Sequence, residues 1–250
     1  MSLAPLPESL NPLLDEYLVP GSLSKPFVTL TYAQSLDSKI SSLVGVQTKI
    51  SHVETKTLTH HIRSRHDSIL VGIGTVLADD PKLNCRLGGD SSSSPRPVII
   101  DPKGRWNYAS SQLRKIVDNK NGKAPFIVTD LSESIGGESL KVLEQQGGKQ
   151  IKLPLQEKRY ENWDIILSSL YELGIKSVMV EGGATVINDL LAYKNKDGRT
   201  LIDSLIITIG PVFLGRNGVD VSPSEHVDLN KVKWWTGIQD SVLFAKVVLN

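Results

Sequence analysis

The chain has 250 residues, 40% of them hydrophobic, enough for one large domain or two small ones with a substantial core. Its 28 basic residues nearly balance 27 acidic ones, and no Lys or Arg run forms an electrostatic footprint, which argues against a nucleic-acid or anionic-lipid partner. Apolar runs are strand-length, short of the roughly 18 residues of a membrane span, and Met1 to Tyr17 carries Pro5, Pro7, Glu8, Asp15 and Glu16 in place of a signal-peptide pattern, so a soluble cytoplasmic protein is expected.

In chain order, Glu8 to Leu18 is amphipathic and predicts a short helix ended by Pro20-Gly21, outside the main repeat or serving as a dimer or surface element. Phe27 to Gln34 is rich in β-formers and predicts a strand, followed by a turn at Ser35-Leu36-Asp37 and a short run ending near Ser41. Ser51 and Glu54 have capping-box spacing and predict a helix reaching His66, its polar face basic with Lys56, Arg63 and Arg65. Asp67 to Gly74 reads as a buried strand, with a single helical turn, Thr75 to Pro81, after it. The serines at 91 to 94 predict a polar loop. Further strands are expected at Arg96 to Asp101, Ala124 to Thr129, Lys149 to Leu153 and Lys176 to Val180, with helical patterns at 110–118, 137–146 and 160–173 between them. A helix follows the glycines at 182 and 183. Strands alternating with helices imply a mostly parallel α/β sheet flanked by helices. Leu205 to Val212 and Ser241 to Val248 lack an intervening helix, which predicts an antiparallel pair closing one edge. No repeat or composition break divides the chain, so one domain is expected over 1–250, with 1–24 as an N-terminal extension.

The densest chemical signal is SVMVEGGATVINDLL, residues 177–191, where a β-branched run stops at Glu181-Gly182-Gly183 and a helix starts at once. Glycines there let backbone N–H groups approach a phosphate, and the unpaired amides and dipole of a first helical turn favour an anion. A plain strand-to-helix turn explains the same glycines equally well. Ligands of open α/β sheets bind beyond the strands' carboxyl ends, and three segments here end strands with small or polar residues: Ala33 to Asp37, Gly72 to Asp80 and Glu181 to Thr185. Gly72-Ile73-Gly74 does not extend to a dinucleotide fingerprint, because position 77 is Leu77. Gly74 permits close approach, and Thr75 caps the turn or bonds a phosphate oxygen. Adjacent Asp79 and Asp80 point apart, one toward a ligand and one to solvent, which disfavours a catalytic dyad. Arg63 and Arg86 suit a bidentate phosphate clamp, against the solvated role most arginines have. The single Cys85 excludes internal disulfides and multi-cysteine zinc sites. His52, His60, His61, His66 and His226 include no i, i+4 pair, so solvated or capping roles are expected and no metal is implied.

Taken together, LTYAQSLDSKIS, the helix with Arg63, ILVGIGTVLADDPKLNCR, RPVIID, VMVEGGATVIN and LIITIGPVFLG resemble, in order and spacing, the fungal riboflavin-pathway reductases. These are related to the reductase half of the bacterial bifunctional riboflavin enzyme, and the resemblance covers about residues 26 to 250. It implies a dihydrofolate-reductase-like fold, a homodimer, and NADPH as cofactor. It also implies hydride transfer to C1′ of a ring-opened imine, converting the ribosylamino group of 2,5-diamino-6-ribosylamino-4(3H)-pyrimidinone 5′-phosphate to ribitylamino. By position, Ala33, Gly74, Thr75, Asp79 and the run Gly182, Gly183, Ala184, Thr185 and Val186 correspond to cofactor contacts. Arg63, Leu83, Arg86 and Glu181 correspond to substrate contacts. The chain departs from the bacterial pattern at Gln47 and Lys49, where the bacterial enzyme has Ser and Trp. Asp37 and Glu181 are candidates for protonating the imine nitrogen, beside water or the substrate itself. Other readings of the same pattern are a dihydrofolate- or pterin-type reductase and a noncatalytic nucleotide-binding protein.

Overall fold

The computed structural model describes residues 3–19, 24–87, 92–195 and 198–248. Pro20-Gly21 and Ser91, where a helix end and a loop start are expected, lie outside the described residues. The elements in chain order are α1 (Asn11–Tyr17), β1 (Phe27–Gln34), β2 (Lys39–Ser41), α2 (Val53–Ser64), β3 (Ser68–Gly72), α3 (Ile73–Asp79) and β4 (Arg96–Ile100). They continue with α4 (Gln112–Asp118), β5 (Phe126–Asp130), α5 (Gly137–Gln145), β6 (Lys149–Leu153), α6 (Trp163–Glu172), β7 (Ser177–Gly182) and α7 (Ala184–Ala192), and end with β8 (Ser204–Ile209), β9 (Val219–Asp220), β10 (Asp228–Thr236) and β11 (Ser241–Val248).

Nine strands form one sheet in the order β10-β11-β8-β1-β7-β3-β4-β5-β6. All pairs from β8 to β6 are parallel, and the β8-β11 and β11-β10 pairs are antiparallel. The expected mixed, mostly parallel sheet with an antiparallel C-terminal edge is thus present. The outermost strand is β10, which the sequence reading leaves unassigned: eight of its nine residues are at least partly exposed, so it shows no alternation, and its pairing is interrupted between Asn230 and Lys233. The run ending near Ser41 pairs with β9 as a separate two-stranded ribbon.

Strand alternation divides the core. Val28 and Leu30 of β1, Val178 and Val180 of β7, and Leu205 and Ile207 of β8 face α6 and α7. The opposite face is covered in two separate patches. Near β3, β4 and β5 it packs Ile73, Val76, Leu113 and Leu143 from α3, α4 and α5. Near β7, β8 and β11 it packs α1 with the 3-10 turn before it (Glu8–Leu10), and α2, through Leu10, Leu14, Tyr17, Leu58 and Ile62. The N-terminal helix is therefore a core element, each of its buried apolar side chains contributing roughly 1.5–3 kcal/mol by area removed from water. A cleft opens between the two patches, over the carboxyl ends of β1, β7 and β3.

The helix carrying Arg63 starts differently from the expected capping box. Its N-cap is His52, without a side-chain cap bond. Asp240, in the turn between β10 and β11, supplies the carboxylate: its Oδ2 accepts from the His52 amide at 2.7 Å and from the Thr55 hydroxyl at 2.5 Å. Glu54 points away from Ser51, and its Oε2 accepts from the Ile238 amide at 2.8 Å. The helix ends at Ser64, two residues short of the expected His66.

Candidate active site

Local backbone geometry aims the central carboxylate. Between β3 and β7 the register shifts: Leu70 pairs Val180 and Val71 pairs Gly182, so Glu181 is the extra residue of a bulge. Its side chain meets Arg63 of α2 in a fork, Nε to Oε1 at 2.7 Å and Nη2 to Oε2 at 2.6 Å, while Nη1 donates to the Asn84 carbonyl at 2.9 Å. Burial opposes the Arg63 charge, but the Glu181 carboxylate outweighs it and holds the guanidinium proton more tightly than usual. Three of Arg63's five N–H groups are thus committed within the protein, leaving two for a ligand.

This pair separates two compartments. The larger, about 670 Å³, runs from the loop after β2 to the glycine turn and is lined by Ala33, Gly74, Thr75, Asp79, Leu83, Glu181, Gly183, Ala184, Thr185 and Val186 among others. The smaller, about 260 Å³, is lined by Lys49, Lys56, His60, Arg63 and Arg86 with the hydroxyls of Thr48, Ser51 and Thr59. Ala33, Ile40, Thr48, Ser51 and Arg63 border both. Among the described residues no carboxylate lines the smaller compartment, and none pairs with Lys49, Lys56 or Arg86. Its described lining is cationic.

The larger compartment ends at Gly183, the N-cap of α7, where no side chain caps the helix. A Cβ on Gly183 would lie 2.9 Å from the Thr75 hydroxyl, so glycine is what lets the α7 start approach α3. Gly182 has φ +110° and is buried against Ile187, which shapes the turn, while Gly183 lines the cleft. Asp79 faces the compartment, and burial raises its carboxyl above the usual range. Its neighbour Asp80 is not simply solvated: it accepts from the Gln112 amide at 3.0 Å and caps α4.

Asp37 lies outside both compartments. It accepts from the Ser35 hydroxyl at 2.5 Å and from the Leu214 and Gly215 amides at 3.0 and 2.8 Å, bonds that hold its carboxyl down at about 2. An acid so stabilised as its anion is a poor proton donor, and the structure removes Asp37 from the acid candidates. The histidines also depart from expectation. His66 is buried, bonded to the Thr29 hydroxyl and the Ile62 carbonyl at 2.8 Å each. His60 is 2% exposed beside Arg86. Its place was readable from spacing: Lys56, His60 and Arg63 stand at i, i+4 and i+7 on one face of α2. Arg65 points elsewhere and pairs with Asp15 at 2.7 Å.

Among the described residues no group of three or more His, Cys, Asp or Glu is placed to hold a metal ion, and no helix is long and apolar enough to cross a membrane.

Residues 26–243 match the RibD C-terminal domain family. The 2,5-diamino-6-ribosylamino-4(3H)-pyrimidinone 5′-phosphate reductase of Debaryomyces hansenii is 59% identical over 251 residues, spanning 99% of this chain and 100% of its own. The Saccharomyces cerevisiae reductase of the same name is 44% identical over 254 residues, spanning 99% of each chain. The solved structure of the Saccharomyces cerevisiae riboflavin biosynthesis reductase Rib7 superposes with a TM-score of 0.79 at 42% identity, over 96% of this chain and 100% of that one. The chain belongs to the RibD C-terminal domain family and carries its dihydrofolate-reductase-like fold.

Proposed function

We propose that this chain is the NADPH-dependent reductase of riboflavin biosynthesis that converts 2,5-diamino-6-ribosylamino-4(3H)-pyrimidinone 5′-phosphate to its ribitylamino product. The observation that carries the reading is the pairing of an uncapped helix start at a glycine turn with a carboxylate-free cationic compartment, joined at Arg63-Glu181. One end suits a dinucleotide and the other a sugar phosphate.

The residues of the larger compartment fit the cofactor. The space that a Gly183 side chain would fill, the free amides at the α7 start and the Thr75 hydroxyl make a cradle for its pyrophosphate, and Ala33 and Asp79 border its nicotinamide half. When bound, NADPH supplies a hydride to C1′ of the opened ribose. The protein contributes position, charge and exclusion of water. Arg86, Lys49 and Lys56 hold the 5′-phosphate in the smaller compartment. The Glu181 oxygens keep lone pairs beyond the Arg63 fork and accept from ribose hydroxyls or pyrimidine amines, while Leu83 closes the apolar wall. Both Glu181 oxygens act as acceptors and Asp37 is out of place, so solvent or the substrate itself delivers the proton to the imine nitrogen.

The same reading makes the protein a cytoplasmic homodimer. Edge strand β10 leaves Val232 44% and Trp234 57% exposed, which suits a second copy across that margin. The deciding experiment follows nicotinamide absorbance with the ribosylaminopyrimidine phosphate: turnover is expected with NADPH. Tight NADPH binding with no oxidation would overturn the reductase assignment, and turnover of dihydrofolate instead would replace the substrate.

A further inference from the structure

His60 is a buried, neutral base facing a cation. The Arg86 side chain brings Nε and Nη2 to within 3.0 and 2.8 Å of His60 Nε2, and the Arg86 backbone N–H points at Nδ1 at 3.2 Å, so both ring nitrogens face Arg86 donors. A neutral imidazole accepts at one nitrogen only. Two guanidinium N–H groups converge on Nε2 against one longer backbone contact at Nδ1, which favours the tautomer with its lone pair on Nε2 and leaves the Arg86 backbone N–H facing Nδ1–H. Burial, then Arg63, Arg86 and Lys56, push the imidazolium ionisation down to about 3, which keeps this lone pair available throughout the neutral range. The backbone at this position is held in turn, since the Cys85 thiol donates to the His60 main-chain carbonyl at 3.3 Å.

We infer that His60 is a positioning residue: by accepting the Nε edge of Arg86 it sets the direction in which that exposed side chain presents its other N–H groups to an anion in the cationic compartment. Among the described residues the imidazole is the side chain bonded to the Arg86 guanidinium. A carboxylate there would order the side chain as well but would neutralise it. A neutral acceptor orders Arg86 and leaves its full charge for a phosphate. Arg63 shows the opposite solution, its guanidinium neutralised by Glu181. The inference rests on reading the smaller compartment as the substrate's phosphate site.

The test uses the full chain and two substitutions, His60→Leu, which removes the acceptor, and His60→Gln, whose amide oxygen reaches the Nε2 position. Binding of ribose 5-phosphate is measured by calorimetry, and steady-state kinetics are run with the phosphorylated substrate. His60→Leu should weaken ribose 5-phosphate and raise the substrate KM by about tenfold or more, with kcat and the NADPH KM within about twofold. His60→Gln should recover most of the loss. In an Arg86→Ala background, His60→Leu should add almost nothing, because the two act as one unit. Unchanged ribose 5-phosphate binding in a folded His60→Leu protein, or equal losses with and without Arg86, would overturn the positioning role. A wild-type protein that fails to bind ribose 5-phosphate would instead overturn the phosphate reading beneath it.

Discussion

The two compartments of the cleft are made from different parts of the polypeptide. At the glycine turn the working groups are backbone amides and one hydroxyl, brought together over residues that are close in sequence or on adjacent strands. In the cationic compartment they are long side chains from α2, from the segment after α3 and from the loop before α2. A backbone site is rigid but offers only partial charges. A side-chain site offers whole charges and needs other groups to hold them still, which is the part played by Glu181 for Arg63 and His60 for Arg86.

That contrast is open to direct attack. The largest effect is expected where the compartments meet: Glu181→Gln should lower kcat/KM by about a hundredfold, because it unpairs Arg63 and removes a substrate acceptor together, and steady-state kinetics with both ligands varied would show it. An unchanged kcat/KM would mean that the fork is merely structural. Arg86→Ala should raise the substrate KM about thirtyfold through lost charge-assisted bonds, with NADPH affinity unaltered. The reverse pattern would exchange the two compartments' ligands. Gly183→Ala should raise the NADPH Kd about tenfold, since the new methyl displaces the Thr75 hydroxyl, while the substrate KM stays put. Equal losses for both ligands in a fluorescence titration would show that the turn serves the whole cleft.

Smaller effects separate scaffold from site. Asp240→Asn should cost about 1 kcal/mol in urea unfolding by weakening the start of α2. Asp37→Asn should leave kcat within about twofold, as befits a residue outside the cleft. Its folded carboxyl titrates at about 2, below the usual 3.8, so its stabilisation is complete above the ordinary value and is lost as pH falls through the folded one. The acid limb of wild-type unfolding below about pH 4 should therefore be shallower in Asp37→Asn, and an unaltered limb would remove the carboxylate from that account.

Where one periodicity held over a whole element, the chain announced its structure. The run at 149–153 and the alternation of strands and helices are legible because burial on one or both faces enforces them. Strand β10 is illegible because it is exposed at nearly every position and is held by distant partners, β11 beside it and the N-terminal segment through Trp235 and Lys233. The same division runs through the site. Glu181-Gly182-Gly183 carries its geometry locally. The cap on α2 does not: Ser51 and Glu54 have the right spacing, yet Asp240, distant in the chain, occupies the position. His60 was hidden differently, since nothing local distinguishes a histidine facing solvent from one that anchors an arginine; only its helical spacing from Lys56 and Arg63 does.

Asp240 has a consequence for how the molecule tolerates damage. The helix bearing Lys56, His60 and Arg63 is tethered at its first turn to the β10-β11 hairpin, by Asp240 through His52 and Thr55 and by Glu54 through Ile238. A hairpin that lines neither compartment thus holds the helix start beside Ser51, which borders both. Loosening that margin by truncation, or bracing it against another surface, shifts the origin of the helix and with it the spacing of three charged or polar groups that no loop at the cleft controls.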